Sequence, residues 1–336
     1  MKKLYLLDYN YDYELDNVLN EGFDSKIEFL RYASKHIMKS KYDYELDFKE
    51  LGCTGFTCFN KDGEQIMGRN FDYKKSSCTL VWAHPKNGYK SVSLVDSDTI
   101  LLCILIRPIR SIKANERMSV YLPLDGINEK GLSIGVLQVK AKTTRQNTGK
   151  KKILTTLAIR AILDKCATVD EAIELLNNYD MVDMLNCNYH FLISDATGKS
   201  VVVEYVNNEM RVVPQEEDRT LAVTNFYLSK DGKDRKPEGI ERYKKVKEEL
   251  KKCKGICSEM DAMKILNSVH FDYKHEIFPW RIITLWSCVF NCAKRTLTFV
   301  SHLKYGKVYL ISPTKPCEVE VLEQKAEISE YTPPID

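Results

Sequence analysis

Cys53 follows a glycine and opens a run of β-type residues, Gly52-Cys53-Thr54-Gly55-Phe56-Thr57-Cys58-Phe59-Asn60. That placement gives a thiol a specific chemical use. If the Gly52–Cys53 bond is cut, Cys53 gains a free α-amine beside its own sulfur. Such an amine titrates near about 7.7–8.0, so a useful fraction is neutral at pH 7 and can take the thiol proton. No catalytic histidine is then required, and none of the six histidines can be placed beside Cys53 by spacing. Three other readings stay open on these residues. Cys53 can be a small buried residue at the start of a strand. It can be an unprocessed nucleophile served by His190 or His270, which calls for a helix or an elbow rather than a hairpin end. Or the chain is a catalytically inactive binding domain.

The partner strand is set by Asp62-Gly63, a signal for a two-residue hairpin turn between β-type runs. With those two residues as the loop, Lys61 faces Glu64 and facing positions sum to 125, so Cys53 faces Asp72 (53 + 72 = 125). Directly opposed side chains have Cβ atoms about 4.5–5.5 Å apart, which brings a thiol and a carboxylate together. The same register sets Arg69 against Phe56, on the other face of the ribbon, so Arg69 reaches the thiol only if the strand end is bulged or strongly twisted.

The elements that must hold this hairpin read as an α+β layered domain. Residues 1–52 are rich in Tyr, Asp and Glu, with Ile27, Leu30, Ala33, Ser34 and Ile37 at helical spacing after the cap candidate Asp24, and form a small helical preface. From Cys53 to Asp336 the pattern is one domain. Strands are expected at Thr54–Asn60, Glu64–Asn70, Cys78–Ala83, Thr99–Ile106 and Leu132–Val139. Helices follow at Ile153–Lys165 and Thr168–Tyr179, the second opened by the capping box Thr168-Val-Asp-Glu171. Later strands at Tyr189–Ser194, Ser200–Tyr205, Arg211–Pro214 and Leu221–Thr224 precede helices at Gly239–Lys252 and Ser258–Val269, and strands at Ile282–Phe290, Thr296–Ser301 and Lys307–Ile311 close the chain. Antiparallel runs separated by paired helices put helices on the outer faces of sheets.

Composition bounds the partners. The 336 residues carry 50 Lys+Arg against 47 Asp+Glu, mixed along the chain, which argues against nucleic acid. The longest apolar run, Thr99–Ile106, is far short of the roughly 20 residues of a membrane span. Asp8, Asp12, Glu14 and Asp16 leave no room for a signal-peptide apolar segment, and eleven cysteines suit a reducing compartment, so the cytoplasm is expected. Cys253 with Cys257, and Cys288 with Cys292, lack the two-residue interval of zinc sites, and neither a metal nor another cofactor is expected.

Several spaced motifs, in one order from residue 53 to about 311, closely resemble the choloylglycine hydrolase family, which includes bile salt hydrolases and penicillin V acylases. They are Cys53-Thr-Gly-Phe56, Gly68-Arg-Asn-Phe-Asp72-Tyr73, Asp125-Gly-Ile-Asn-Glu-Lys-Gly-Leu132, His190-Phe-Leu-Ile-Ser-Asp195 with Gly198 to Glu204, Val223-Thr-Asn225, Glu241-Arg242-Tyr243 and Thr284-Leu-Trp-Ser287. The resemblance implies a four-layer αββα sandwich of the N-terminal nucleophile hydrolases and cleavage of linear amides in N-acyl compounds. It implies Cys53 as nucleophile and, through its amine, base; Asp72 as the amine's partner; Arg69 near the sulfur; Asn225 as an oxyanion donor; and Arg242 as an organiser of the site. Gln138 stands where bile salt hydrolases carry Asn, and it can still donate. Only 17 positions (242 − 225) separate Asn225 from Arg242, where bile salt hydrolases have a long assembly loop, so a homo-oligomer is left open and a tetramer is not implied. The 52-residue preface and that short interval look more like acid ceramidase, N-acylethanolamine amidase or the penicillin-forming acyltransferases, which adds fatty-acyl amides as substrates and an amine as an alternative acceptor to water.

Overall fold

The computed structural model describes residues 3–38, 52–97, 112–184, 188–234, 236–274 and 281–322. Two eight-stranded sheets make its centre. The first runs in the order β1 (Leu4–Tyr9), β4 (Cys78–Ala83), β5 (Ser91–Asp96), β6 (Asp125–Asn128), β7 (Ser133–Val139), β10 (Asn188–Ser194), β11 (Ser200–Val206) and β12 (Glu209–Pro214). The second runs β13 (Leu221–Val223), β2 (Gly52–Phe59), β3 (Gln65–Lys74), β15 (Arg281–Asn291), β16 (Thr296–Ser301), β17 (Val308–Ile311) and β18 (Val319–Leu322), with β14 (Asp272–Lys274) also on β15. β8 (Lys151–Leu154) and β9 (Tyr179–Val182) pair by themselves.

The sheets meet where β2 packs on β7 and β10. Helices α4 (Thr155–Lys165) and α5 (Val169–Asn177) cover the first sheet, and α6 (Ile240–Lys252) and α7 (Glu259–Ser268) cover the second. This is the expected helix–sheet–sheet–helix order. With both faces covered, β3, β7, β10 and β11 are buried along almost every residue, so they read in sequence as continuous rather than alternating apolar runs. Thr168 caps α5 by accepting from the Glu171 N–H, although the Glu171 carboxylate reaches the Ala167 N–H rather than closing the box on Thr168.

The first residues depart from a purely helical preface. β1 lies parallel to β4 as the edge strand of the first sheet, followed by α1 (Leu15–Glu21) and α2 (Lys26–Tyr32), and α3 (Ile112–Ser119) later in the chain packs beside β1. Ser25, not Asp24, caps α2. Parallel edge pairing over some 70 residues of chain leaves no local signature. The strand expected at Thr99–Ile106 lies outside the described residues. Among the described residues no helix is long and apolar enough to cross a membrane.

Candidate active site

The β2–β3 ribbon forms as expected but one residue out of register. Gly52 pairs with Asp72, Cys53 with Phe71 and Gly55 with Arg69, so facing positions sum to 124 (52 + 72) rather than 125. Asn60 is the cause. Its side-chain oxygen accepts the backbone N–H groups of Asp62 and Glu64, each at 3.0 Å, and its carbonyl accepts from Gly63. The loop is therefore the five residues 60–64, with Gly63 at φ 78°, where a side chain would be strained.

A one-residue slip exchanges the faces of a strand, and here it completes the site. Arg69 faces Gly55, two positions from Cys53, so both side chains point into the layer between the sheets without any bulge in this ribbon. Asp72 instead sits beside Gly52, on the face of Thr54. A Cβ at position 52 would lie 3.0 Å from the Asp72 Cβ and 3.1 Å from its Oδ2, which accounts for the glycine. The bulge that does exist is at Leu285 in β15, where pairing steps from Thr284–Asp72 to Trp286–Phe71. It aims the Thr284 hydroxyl at Asp72 Oδ1, 2.6 Å away.

Around the 52–53 peptide the expected residues converge. The Cys53 N–H donates to Asn225 Oδ1 at 2.8 Å, and Asn225 Nδ2 donates to the Gln138 carbonyl at 2.9 Å. Arg242, in the first turn of α6, donates through Nη1 to the Cys53 carbonyl (2.8 Å), to Thr54 Oγ1 (2.9 Å) and to Asp72 Oδ2 (3.1 Å), and through Nη2 to Asn225 Oδ1 (3.0 Å). In the uncut chain the Cys53 nitrogen thus rests on Asn225, while Asp72 is held by Arg242 and Thr284. Gln138 takes part through its backbone: its carbonyl receives Asn225, and its N–H favours the Cys53 thiolate.

The thiol is fully buried, 4.0 Å from the Val136 carbonyl. Burial pushes its pKa above the ordinary thiol value, Arg69 draws it back, and Asp72 and Asp125 add to the rise. Desolvation wins, so the sulfur is a neutral thiol near pH 7 in the uncut chain. Arg69 lies wholly inside, its charge opposed by burial but held by Asp125, whose Oδ1 accepts Nε at 3.0 Å.

Three contributors were not singled out from sequence alone as site residues: Asp125, Thr284 and Glu204. All lie within the spaced motifs, which was the available signal. His190 is not placed to serve Cys53. Its Nδ1 meets Glu204 at 3.2 Å and its Nε2 meets the Thr224 carbonyl at 2.8 Å. Glu204 in turn accepts from the Leu228 and Ser229 N–H groups, so this buried pair clamps the chain on either side of Asn225. The His270 ring is likewise engaged, with Nδ1 2.6 Å from the Asn267 carbonyl.

Comparison with known proteins agrees with this geometry. The profile of the linear amide C–N hydrolases, choloylglycine hydrolase family, matches residues 53–225, beginning at the cysteine and ending at the asparagine that meet here. A bile salt hydrolase/transferase of Clostridium perfringens is 29% identical over 169 residues, 48% of this chain and 50% of that protein, so the match spans about half the length of that relative. Among solved structures, a mutant conjugated bile acid hydrolase from Clostridium perfringens superposes with a TM-score of 0.56 at 19% identity, covering 81% of this chain and 97% of that one. Penicillin V acylase from Agrobacterium tumefaciens gives 0.56 at 18% identity, covering 78% and 87%. These structures share the αββα fold of N-terminal nucleophile hydrolases.

Proposed function

Because the chain belongs to the choloylglycine hydrolase family of linear amide C–N hydrolases, we propose that it is a self-activating cysteine amidase acting on N-acyl compounds. The observation that carries the reading is the convergence on one peptide bond. Asn225, Arg242, Asp72 and Arg69 come from β13's end, α6 and β3, yet all reach Gly52 or Cys53. Nothing about a merely structural buried cysteine calls for that arrangement.

In this mechanism the Cys53 sulfur attacks the Gly52 carbonyl carbon, and the Gly52–Cys53 C–N bond breaks as the nitrogen takes a proton. That shift frees the α-amine; water then hydrolyses the resulting thioester, leaving Gly52 as a carboxylate and returning the Cys53 thiol beside its amine. In the matured site that amine takes the thiol proton as sulfur adds to the substrate carbonyl, and returns it to the departing amine. Asn225 donates to the oxyanion once the Cys53 nitrogen changes its bonding, an interaction worth about 2.7–4 kcal/mol in comparable holes. Asp72, beside Gly52 in the uncut chain, serves as the partner of the new ammonium. Substrates are conjugated bile salts, phenoxyacetyl amides of the penicillin V kind or fatty-acyl amides, with water as acceptor.

Intact-mass measurement of purified protein tests the first step: a fragment beginning at Cys53 is expected, and none in Cys53→Ala. An active protein that keeps full length refutes it. Screening the three amide classes, with and without a second amine, identifies the acyl group and separates hydrolysis from transfer. Asp72→Asn should slow both cutting and turnover, and unaltered rates in both assays would remove Asp72 from the mechanism.

A further inference from the structure

We propose that Asp125 is a positioning residue for this site, holding the Arg69 guanidinium against the Cys53 thiol from the opposite sheet; the proposal rests on the reading of Cys53 given above. Arg69 rises from β3 in the second sheet and Asp125 sits at the start of β6 in the first, so their pair spans the layer between sheets. The remaining Arg69 donors go to the Asn70 and Val136 carbonyls. The Val136 carbonyl is also the one that Cys53 Sγ approaches, so thiol and guanidinium share a single acceptor.

Asp125 is itself fixed. Its second oxygen accepts the Trp286 indole N–H at 2.6 Å. Trp286 stacks on Phe71 with ring centroids 4.2 Å apart and planes 10° from parallel, and Phe71 is the residue opposite Cys53. The contacts therefore close a ring from Cys53 through Arg69, Asp125, Trp286 and Phe71 back to Cys53. Space is reserved for the ion pair at Gly135, where a Cβ would stand 2.6 Å from Asp125 Oδ1 and 3.2 Å from Arg69 Nε. A buried ion pair brings little stability that apolar side chains of similar volume could not supply. Its use here is to fix the direction of a cation that the nucleophile needs.

The charged groups facing the thiol are Arg69, Asp72 and Asp125, with Arg242 at the Cys53 carbonyl. Removing the Asp125 charge while keeping its shape leaves Arg69 less balanced and less anchored. Because Arg69 favours the thiolate more than Asp125 opposes it, a guanidinium that leaves the thiol should move its ionisation to higher pH while turnover falls. An Asp125 that acted only as a nearby charge would lower the midpoint when neutralised.

The test uses matured wild type, Asp125→Asn and Trp286→Phe, following iodoacetamide alkylation of Cys53 against pH by mass, and kcat and KM on an N-acyl amide that the wild type hydrolyses. In Asp125→Asn the alkylation midpoint should rise by on the order of one pH unit, and kcat should fall on the order of 10- to 100-fold with KM little changed. Trp286→Phe keeps the ring stack and the charges but loses the indole donor; a several-fold fall in kcat with an unmoved midpoint is expected. A folded Asp125→Asn with a midpoint at or below that of wild type overturns the proposal. If that variant does not fold, wild-type kcat in Trp286→Phe overturns it. Wild type that hydrolyses amides yet is not blocked by alkylation at Cys53 overturns the underlying function instead.

Discussion

Among the described residues two arginine–aspartate pairs are wholly buried, and they are built differently. Arg69–Asp125 joins two sheets across 56 residues of chain, and every nitrogen of its guanidinium has an acceptor. Arg160–Asp164 lies within one turn of α4 at 2.6 Å, and Arg160 Nε and Nη1 have no hydrogen-bond partner. The second pair instead serves as a dock: Asp164 Oδ2 accepts the Tyr13 hydroxyl at 2.7 Å, tying the preface to the domain. A charge inside a protein is costly in either place. The cost is met in full only where the direction of the cation matters to a neighbouring nucleophile.

The largest expected effect separates the pairs by chemistry. Because burial raises the Cys53 pKa in the uncut chain, the thiolate fraction, and with it the rate of self-cleavage, should climb about tenfold per pH unit through neutrality. Arg69→Met removes the cation that opposes burial, so the same profile should shift to higher pH and cutting at pH 7 should nearly stop. Arg160→Met should leave the shape of the profile alone. Time courses of the Cys53 fragment by mass at several pH values decide this. A flat profile in wild type would contradict the neutral-thiol picture.

How far such differences are legible in the sequence depends on the range over which they are set. Gly52-Cys53 and Asp72 stand out by type and spacing, Arg69, Asn225 and Arg242 only through the resemblance to a family, and the structure brings all of them to one place. The layered fold follows from runs that are continuous in apolar character, and Thr168 announces α5 because a cap is a contact over three residues. What was misread is nearly local too: Asn60 recruits two backbone N–H groups and lengthens the hairpin loop, and one extra residue reverses which side chains face the thiol. The Arg69–Asp125 pair, the β1 edge strand and the bulge at Leu285 depend on elements far apart in sequence, and no spacing rule reports them.

Stability comes next. In a Cys53→Ala background, which cannot cut itself, Arg69→Met should cost about 3–5 kcal/mol, because Asp125 is left buried with only the Trp286 donor. Arg160→Met should cost less, roughly 1–3 kcal/mol, since two of its nitrogens contribute no hydrogen bond and Asp164 keeps Tyr13. Urea midpoints at constant m-value give the comparison, and a larger loss at Arg160 would reverse the ranking. Tyr13→Phe should cost about 1 kcal/mol in the same assay, the usual net worth of one buried hydrogen bond.

The smallest expected effect is the most discriminating. If Arg160–Asp164 is only a dock, its charges can be dispensed with together but not singly. Tyr13→Phe/Arg160→Met/Asp164→Leu replaces all three polar partners by apolar groups of similar volume, so no buried charge is stranded and the hydroxyl that loses a partner is that of Ser91, which accepts from Arg160 Nη2. Its stability should return to within about 1 kcal/mol of the parent, well short of the summed single losses, because residues in one network are not additive. Self-cleavage of the corresponding chain with Cys53 restored should run at the parent rate. A combined loss equal to the sum of the singles would mean that the helix pair, like Arg69–Asp125, is required for the direction of its charges and not merely for filling space.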